Sequence, residues 1–163
     1  MPLHPPRPAV HPARHEDLVG LQELARRTID ASYRSFLGDE GVDRFLSSGA
    51  SDAHIEIQFR QGHVHCLRVE GQLGGLVILD GPTIDLLMID VRRHRQGLGT
   101  ALLSRAEEML FVRYEELRLE SFADNRAANA FYGARGWLVA GRLNSEGPAK
   151  IEMIKRRPDA SAA

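Results

Sequence analysis

Apolar residues change their period several times along this chain, and each change marks a new element. Ala9 to Ala13 suits a short first strand. From Glu16 or Asp17 the spacing is helical, with Leu18, Leu21, Leu24 and Ala25 on one face. Gly38-Asp39-Glu40 interrupts it, and Val42 to Leu46 reads as a second, short helix. His63 to Val69 and Leu73 to Leu79 are strand-like runs around Gly71, as in a hairpin. Thr83 to Val91 is nearly continuous in apolar residues, which predicts a strand buried on both faces at the centre of a sheet. Helical spacing returns with Leu98, Ala101, Leu102, Ala106, Met109 and Leu110. Leu117 to Phe122 alternates as a strand. Asp124 is placed to cap a helix from Asn125 to Arg135, and Gly136 ends it. Trp137 to Ala140 and Lys150 to Lys155 read as the last two strands, with Asn144 to Pro148 as their turn.

The order is strand, two helices, three strands, helix, strand, helix, two strands. This is an α/β chain of the mixed α+β kind, with one central sheet. Its 163 residues fit one domain, and neither a repeat nor a shift of composition divides them. Residues 1–8 are expected to be a flexible N-terminal segment, 9–157 the domain, and 158–163 a flexible tail.

Composition narrows the classes of partner. Lys and Arg total 21 against 22 Asp and Glu, so no basic excess points to nucleic acid or a membrane surface. No window approaches the roughly 20 apolar residues of a spanning helix. Cys66 is the single cysteine, which excludes an intrachain disulfide and suits the reducing cytoplasm. His63 and His65 share a strand face and Cys66 follows, but a zinc site needs more ligands, so no metal is expected.

The chemistry concentrates after the long apolar run. A strand ends, Gly97 and Gly99 follow, and a helix begins at once. Unpaired N–H groups and the dipole at a helix start favour an anion, and glycines let a ligand approach the backbone. Arg92, Arg93 and Arg95 add positive charge. Alone, this describes either a phosphate cradle or a tight turn. A P-loop is excluded because no Gly-Lys-Ser/Thr is present; a Rossmann turn is excluded because Leu102 stands at the third glycine position.

Residues Ile89-Asp90-Val91-Arg92-Arg93-His94-Arg95-Gln96-Gly97-Leu98-Gly99-Thr100-Ala101-Leu102-Leu103 resemble the acetyl-CoA signature of the GNAT N-acetyltransferase superfamily. That signature is Arg/Gln-x-x-Gly-x-Gly/Ala after a strand that often ends in Val-Asp-Pro. Here His94 replaces the Arg or Gln, and Val91 the Pro. Leu119 to Trp137 resembles a later motif of the same family, with Asn125, Ala128, Tyr132, Gly136 and Trp137 at matching places.

The resemblance implies a GNAT-like fold, a twisted and mostly antiparallel sheet of about six or seven strands with about four flanking helices. It implies direct transfer of acetyl from acetyl-CoA to a primary amine in a ternary complex, without metal, in a family whose members are often homodimers. The acceptor, small molecule or protein, is not indicated. A non-catalytic acyl-CoA-binding or regulatory domain is the alternative, and a nucleotide-binding module a further one. By resemblance, Arg95, Gln96, Gly97, Leu98, Gly99 and Thr100 would hold the pyrophosphate. Leu87, Met88 and Ile89 would line the pantetheine on a strand splayed from its neighbour. Asn125 would donate to the pantetheine arm, and Ala128 would leave it room. Tyr132 would protonate the leaving thiolate, and Glu120 would be the base for the amine. Tyr33, Arg34, Phe36 and Asp39 fall where the family closes over its acceptor.

Overall fold

A computed structural model describes residues 7–143 and 146–159. The expected flexible ends therefore lie mostly outside the described residues, as do Asn144 and Ser145 of the predicted turn. Strands β1 (Ala9–Pro12), β2 (Val64–Val69), β3 (Gln72–Asp80), β4 (Thr83–Ile89), β5 (Glu116–Phe122), β6 (Leu138–Leu143) and β7 (Lys150–Arg156) form one sheet. Their order is β1-β2-β3-β4-β5-β7-β6. Helices α1 (Leu18–Ser32), α2 (Arg34–Ser47) and α3 (Ala50–Arg60) precede the second strand. Helix α4 (Leu98–Phe111) links β4 to β5, and α5 (Arg126–Ala134) links β5 to β6.

β3 explains why the sheet carries a helix layer on each face. Its side chains alternate, and both sets are apolar. Leu76 and Ile78 pack with Leu21, Leu24 and Ile55 of α1 and α3. Val77 and Leu79 pack with Leu102, Leu103 and Ala106 of α4. Each of these buried Leu, Ile and Val side chains stabilises the fold by about 1.5–3 kcal/mol.

The strand expected to be buried on both faces was the Thr83 run, and there the structure differs. β3 holds that place, whereas β4 buries only Ile84 and Met88. β4 is indeed central, yet it pairs with β5 only through Thr83↔Arg118 and Ile84↔Leu119. Beyond those rungs no strand among the described residues neighbours its far edge. That contact is also the sheet's parallel one; the other paired neighbours run antiparallel. The sheet is thus two leaves, β1–β4 and β5-β7-β6, joined at one end and forked at the other.

Two local departures have clear causes. α3 was not expected, because its buried positions are Ser51 and Ile55 while Ile57 is exposed. A small polar residue in the buried stripe hides the helical period. The cap of α5 is Asn125 rather than Asp124; Asn125 Oδ1 accepts from the Ala128 N–H at 3.3 Å. The expected interruption at Gly38 is real: the backbone leaves the helical region there, at φ 77° and ψ 160°.

Candidate active site

The fork is prepared by a bulge in β4. Ile78 pairs with Leu86 and Leu79 with Ile84, so Asp85 is an extra residue without a partner on β3. Asp85 and Glu120 are the next residues after the last β4–β5 rung. Above them the leaves part. Close approach of β3 supports the free half of β4: a Cβ on Gly75 would stand 2.8 Å from Ile89 Cδ1 and from the Met88 carbonyl.

A cavity of about 1110 Å³ occupies the fork on the α4–α5 side. Leu87, Met88 and Ile89 border it along β4, although the Met88 side chain packs in the core under α1 and α3. The turn into α4 forms one end. Gly97 takes φ 74° there, and Ala101 makes the first helical bond, to the Gly97 carbonyl. The N–H groups of Leu98, Gly99 and Thr100 precede that bond and have no partner within the helix. Arg95, Gly97, Leu98, Gly99 and Thr100 line the cavity, whereas exposed Gln96 does not. His94 Nε2 lies 2.9 Å from the Ile89 carbonyl.

Cations surround this end. Arg93 donates to Gln72 Oε1 at 2.6 Å. Arg135 lies 3.9 Å over the Phe131 ring and donates to Thr100 Oγ1 at 3.1 and 2.6 Å. Behind the turn, Asp90 is nearly sealed from water. Arg27 grips it from α1 at 2.9 and 2.6 Å, and the Arg92 N–H adds a bond at 3.1 Å. Burial opposes its charge, but these donors prevail and hold its pKa at about 2.

α5 forms the other wall. Ala128, Phe131, Tyr132 and Arg135 line the cavity from one face, yet no residue of α5 is buried. The Tyr132 ring meets Phe131 at 5.3 Å and Trp137 at 6.2 Å, both edge-on. Burial, and secondarily the nearby Tyr33 hydroxyl, push its pKa well above the usual phenol value. Its hydroxyl makes no hydrogen bond among the described residues, and neither does the Asn125 side-chain N–H₂.

A second cavity, of about 560 Å³, opens on the α1–α3 side. Tyr33, Leu87, Met88, Asn125, Ala128 and Tyr132 line both cavities, so the two meet there. Glu120 belongs to this second cavity and not to the first. It is exposed and has no partner among the described residues. Tyr33 and Phe36 pack on Phe122, with centroids at 6.1 and 5.6 Å. Arg34 is instead pinned by Asp30, Asp39 and Asp43, which leaves Arg34 and Asp39 in a surface ion cluster.

Sequence reasoning missed His54 and Asp85, which face each other in the second cavity at 2.6 Å. Asp85 is one of two charges, with Asp90, inside an otherwise apolar run, a signal that was present. His54 carried none, since its helix was hidden. Of His63, His65 and Cys66, two find partners elsewhere. His63 bonds Gln58 Oε1 at 2.6 Å, and Cys66 turns to the α1 side toward Asp17. Burial, then Asp17, push the Cys66 thiol up to about 12. His11, Asp17 and Cys66 do cluster, but Arg68 donates to both His11 and Asp17 and fills the space a cation would need.

The site is thus a forked sheet with a helix start facing one cavity and a second cavity meeting the first at a tyrosine. Residues 33–155 match the family model described as the acetyltransferase (GNAT) domain, and the chain belongs to that family. A GCN5-related N-acetyltransferase structure from Rhodopseudomonas palustris superposes with a TM-score of 0.82 at 22% identity, covering 95% of this chain and 99% of that one. The PaiA N-acetyltransferase of Thermoplasma acidophilum, in complex with coenzyme A, gives 0.77 at 18% identity over 93% and 99%. The 5-NmdU N-acetyltransferase of Pseudomonas phage PaMx11 is 24% identical over 143 residues, 85% of this chain and 91% of the relative.

Proposed function

We propose that this protein transfers the acetyl group of acetyl-CoA to a primary amine inside a ternary complex. The observation that carries this is the junction of the two cavities at Tyr132. One cavity suits a long anionic cosubstrate. Its far end offers the free N–H groups of α4 and the rim of Arg93, Arg95 and Arg135, which suit a pyrophosphate. Its near part offers the unpaired edge of β4 and the Asn125 amide, donors and acceptors for the pantetheine amides. Residues Gly97 to Thr100 with Leu87, Met88, Ile89, Asn125 and Ala128 are therefore assigned to acetyl-CoA. Gln96 contributes at most its backbone.

The amine enters by the smaller cavity and attacks the thioester carbon. As the carbon–sulfur bond breaks, the Tyr132 hydroxyl gives its proton to sulfur. The raised pKa keeps that proton in place until charge develops on the thiolate. Glu120 lines the amine's approach and offers one seat for the amine's own proton. Buried Cys66, held protonated away from the junction, offers no thiol nucleophile there. A cytoplasmic site of action fits that free thiol.

Thiol release from acetyl-CoA tests this with benzylamine, spermidine, a peptide α-amine and the 5-NmdU nucleoside, the last chosen from the phage relative's name. Release with at least one amine, matched by an acetylated product in the mass spectrum, is expected. Tight CoA binding with no release from any of them returns the protein to a non-catalytic binding domain.

A further inference from the structure

We propose that His54, oriented by Asp85, is the base that takes the proton from the acceptor amine. This rests on the acetyl-transfer reading and deepens it. His54 Nε2 lies 2.6 Å from Asp85 Oδ2. A carboxylate only accepts, so Nε2 carries the hydrogen and Nδ1 keeps the lone pair. Nδ1 has no hydrogen bond among the described residues, and the ring lines the smaller cavity that ends on Tyr132.

The bulge in β4 makes the pair. Asp85 is the residue left over between Ile84 and Leu86, and it reaches α3 where a regular strand would offer an apolar side chain. Other ionisable groups share the cavity: Glu120 from β5, Lys150 from β7, Tyr132 from α5, and Tyr33 after α1. On α3 itself, Asp52 is engaged by Arg26.

Glu120 and His54 divide the work. Glu120 stands directly opposite Glu152 across β5 and β7, a like-charge pairing that sheets normally avoid. Arg118 bonds Glu152 and leaves Glu120 unpartnered, an anionic lip for an arriving ammonium. His54 keeps its Nδ1 lone pair free inside the cavity and has Asp85 behind it to hold the ring, so the ammonium that Glu120 receives meets its proton acceptor there.

The protons balance. The acceptor arrives as an ammonium and passes one proton to Nδ1, giving a neutral amine and an imidazolium facing Asp85. The amine lone pair forms the new carbon–nitrogen bond, and the carbon–sulfur bond breaks. Tyr132 protonates the sulfur, and the amine's second proton restores the phenol. The His54 side chain, 47% exposed, then releases its proton to water. Ammonium and thioester become amide, thiol and one free proton.

The test uses the full chain, acetyl-CoA and the amine of the panel turned over fastest. His54→Gln should lower kcat/KM for the amine at least 30-fold, with the KM for acetyl-CoA and the melting temperature unchanged. Asp85→Asn removes the charge that favours the imidazolium. It should move the acid limb of the pH–rate profile and lower kcat/KM for the amine, with the KM for acetyl-CoA unchanged. Wild-type release that survives His54→Gln, or an acid limb unmoved by Asp85→Asn, overturns the base alone. If no amine of the panel releases thiol from the wild type, the acetyl-transfer reading fails and the base fails with it.

Discussion

Tyr132 shows how a residue's role depends on what leaves it free. Its ring is fixed by Phe131 and Trp137, while its hydroxyl has no partner among the described residues. A phenol so placed can be removed with little loss of packing. Tyr132→Phe should therefore lower kcat about 10²-fold, the usual scale for one positioned acid. CoA affinity by calorimetry should stay within about twofold. Unchanged turnover would remove Tyr132 from the chemistry. The placement of this residue and of Asn125 at the cavity was legible in the sequence through the motif that resembles the GNAT family, because that motif is local: a cap and one short helix, where spacing sets the face. His54 and Arg135 were not. Their partners, Asp85 and Thr100, stand 31 and 35 positions away, and only the folded sheet brings them together.

At the scale of elements, α1 clamps the turn that the fork depends on. Arg27 holds Asp90, and Thr28 Oγ1 accepts from the Val91 N–H at 3.1 Å. Asp90 titrates near 2 instead of its ordinary 3.8, so the folded state binds its proton less readily than the unfolded chain. The clamp's stabilisation, about 2 kcal/mol, is complete above about pH 4 and is lost as the pH falls toward 2. Arg27→Met leaves the buried carboxylate with Arg92 alone and should lower stability by about 2–3 kcal/mol at pH 7. Urea denaturation at pH 7 and pH 2 checks this, because the deficit should shrink at pH 2, where about half of the Asp90 carboxyls are already protonated in the folded wild type. An equal deficit at both values would mean that Arg27 acts through packing. The apolar run of β4 was legible as a central strand, but its missing neighbour was not. Hydrophobicity reports that a residue avoids water, not whether protein or ligand covers it. α3 failed for a related reason, since Ser51 fills a core position with a polar side chain.

For the whole molecule, the consequence is a sheet whose two leaves, among the described residues, are laddered through two residue pairs where β4 meets β5. From Asp85 to Met88 the far edge of β4 offers its backbone to the cavity, and α5 covers that cavity without burying any residue of its own. A ligand touching β4, the start of α4 and α5 would bridge both leaves and bind only the folded state. CoA at 100 times its Kd should then add about 2.7 kcal/mol. For a chain of this length each kcal/mol corresponds to about 2–4 °C, so the melting temperature should rise by about 5–10 °C. ATP and NAD at the same concentration share the phosphates but lack the pantetheine arm, and should give a much smaller shift. Hydrogen exchange should locate the gain: amides of α5 and of β4 beyond Asp85 slow with CoA, whereas β2 and β3, already paired on both edges, change little. Equal shifts with all three ligands, or protection confined to the α4 turn, would show that only the phosphates are recognised. The fork would then be a phosphate site without an acyl channel.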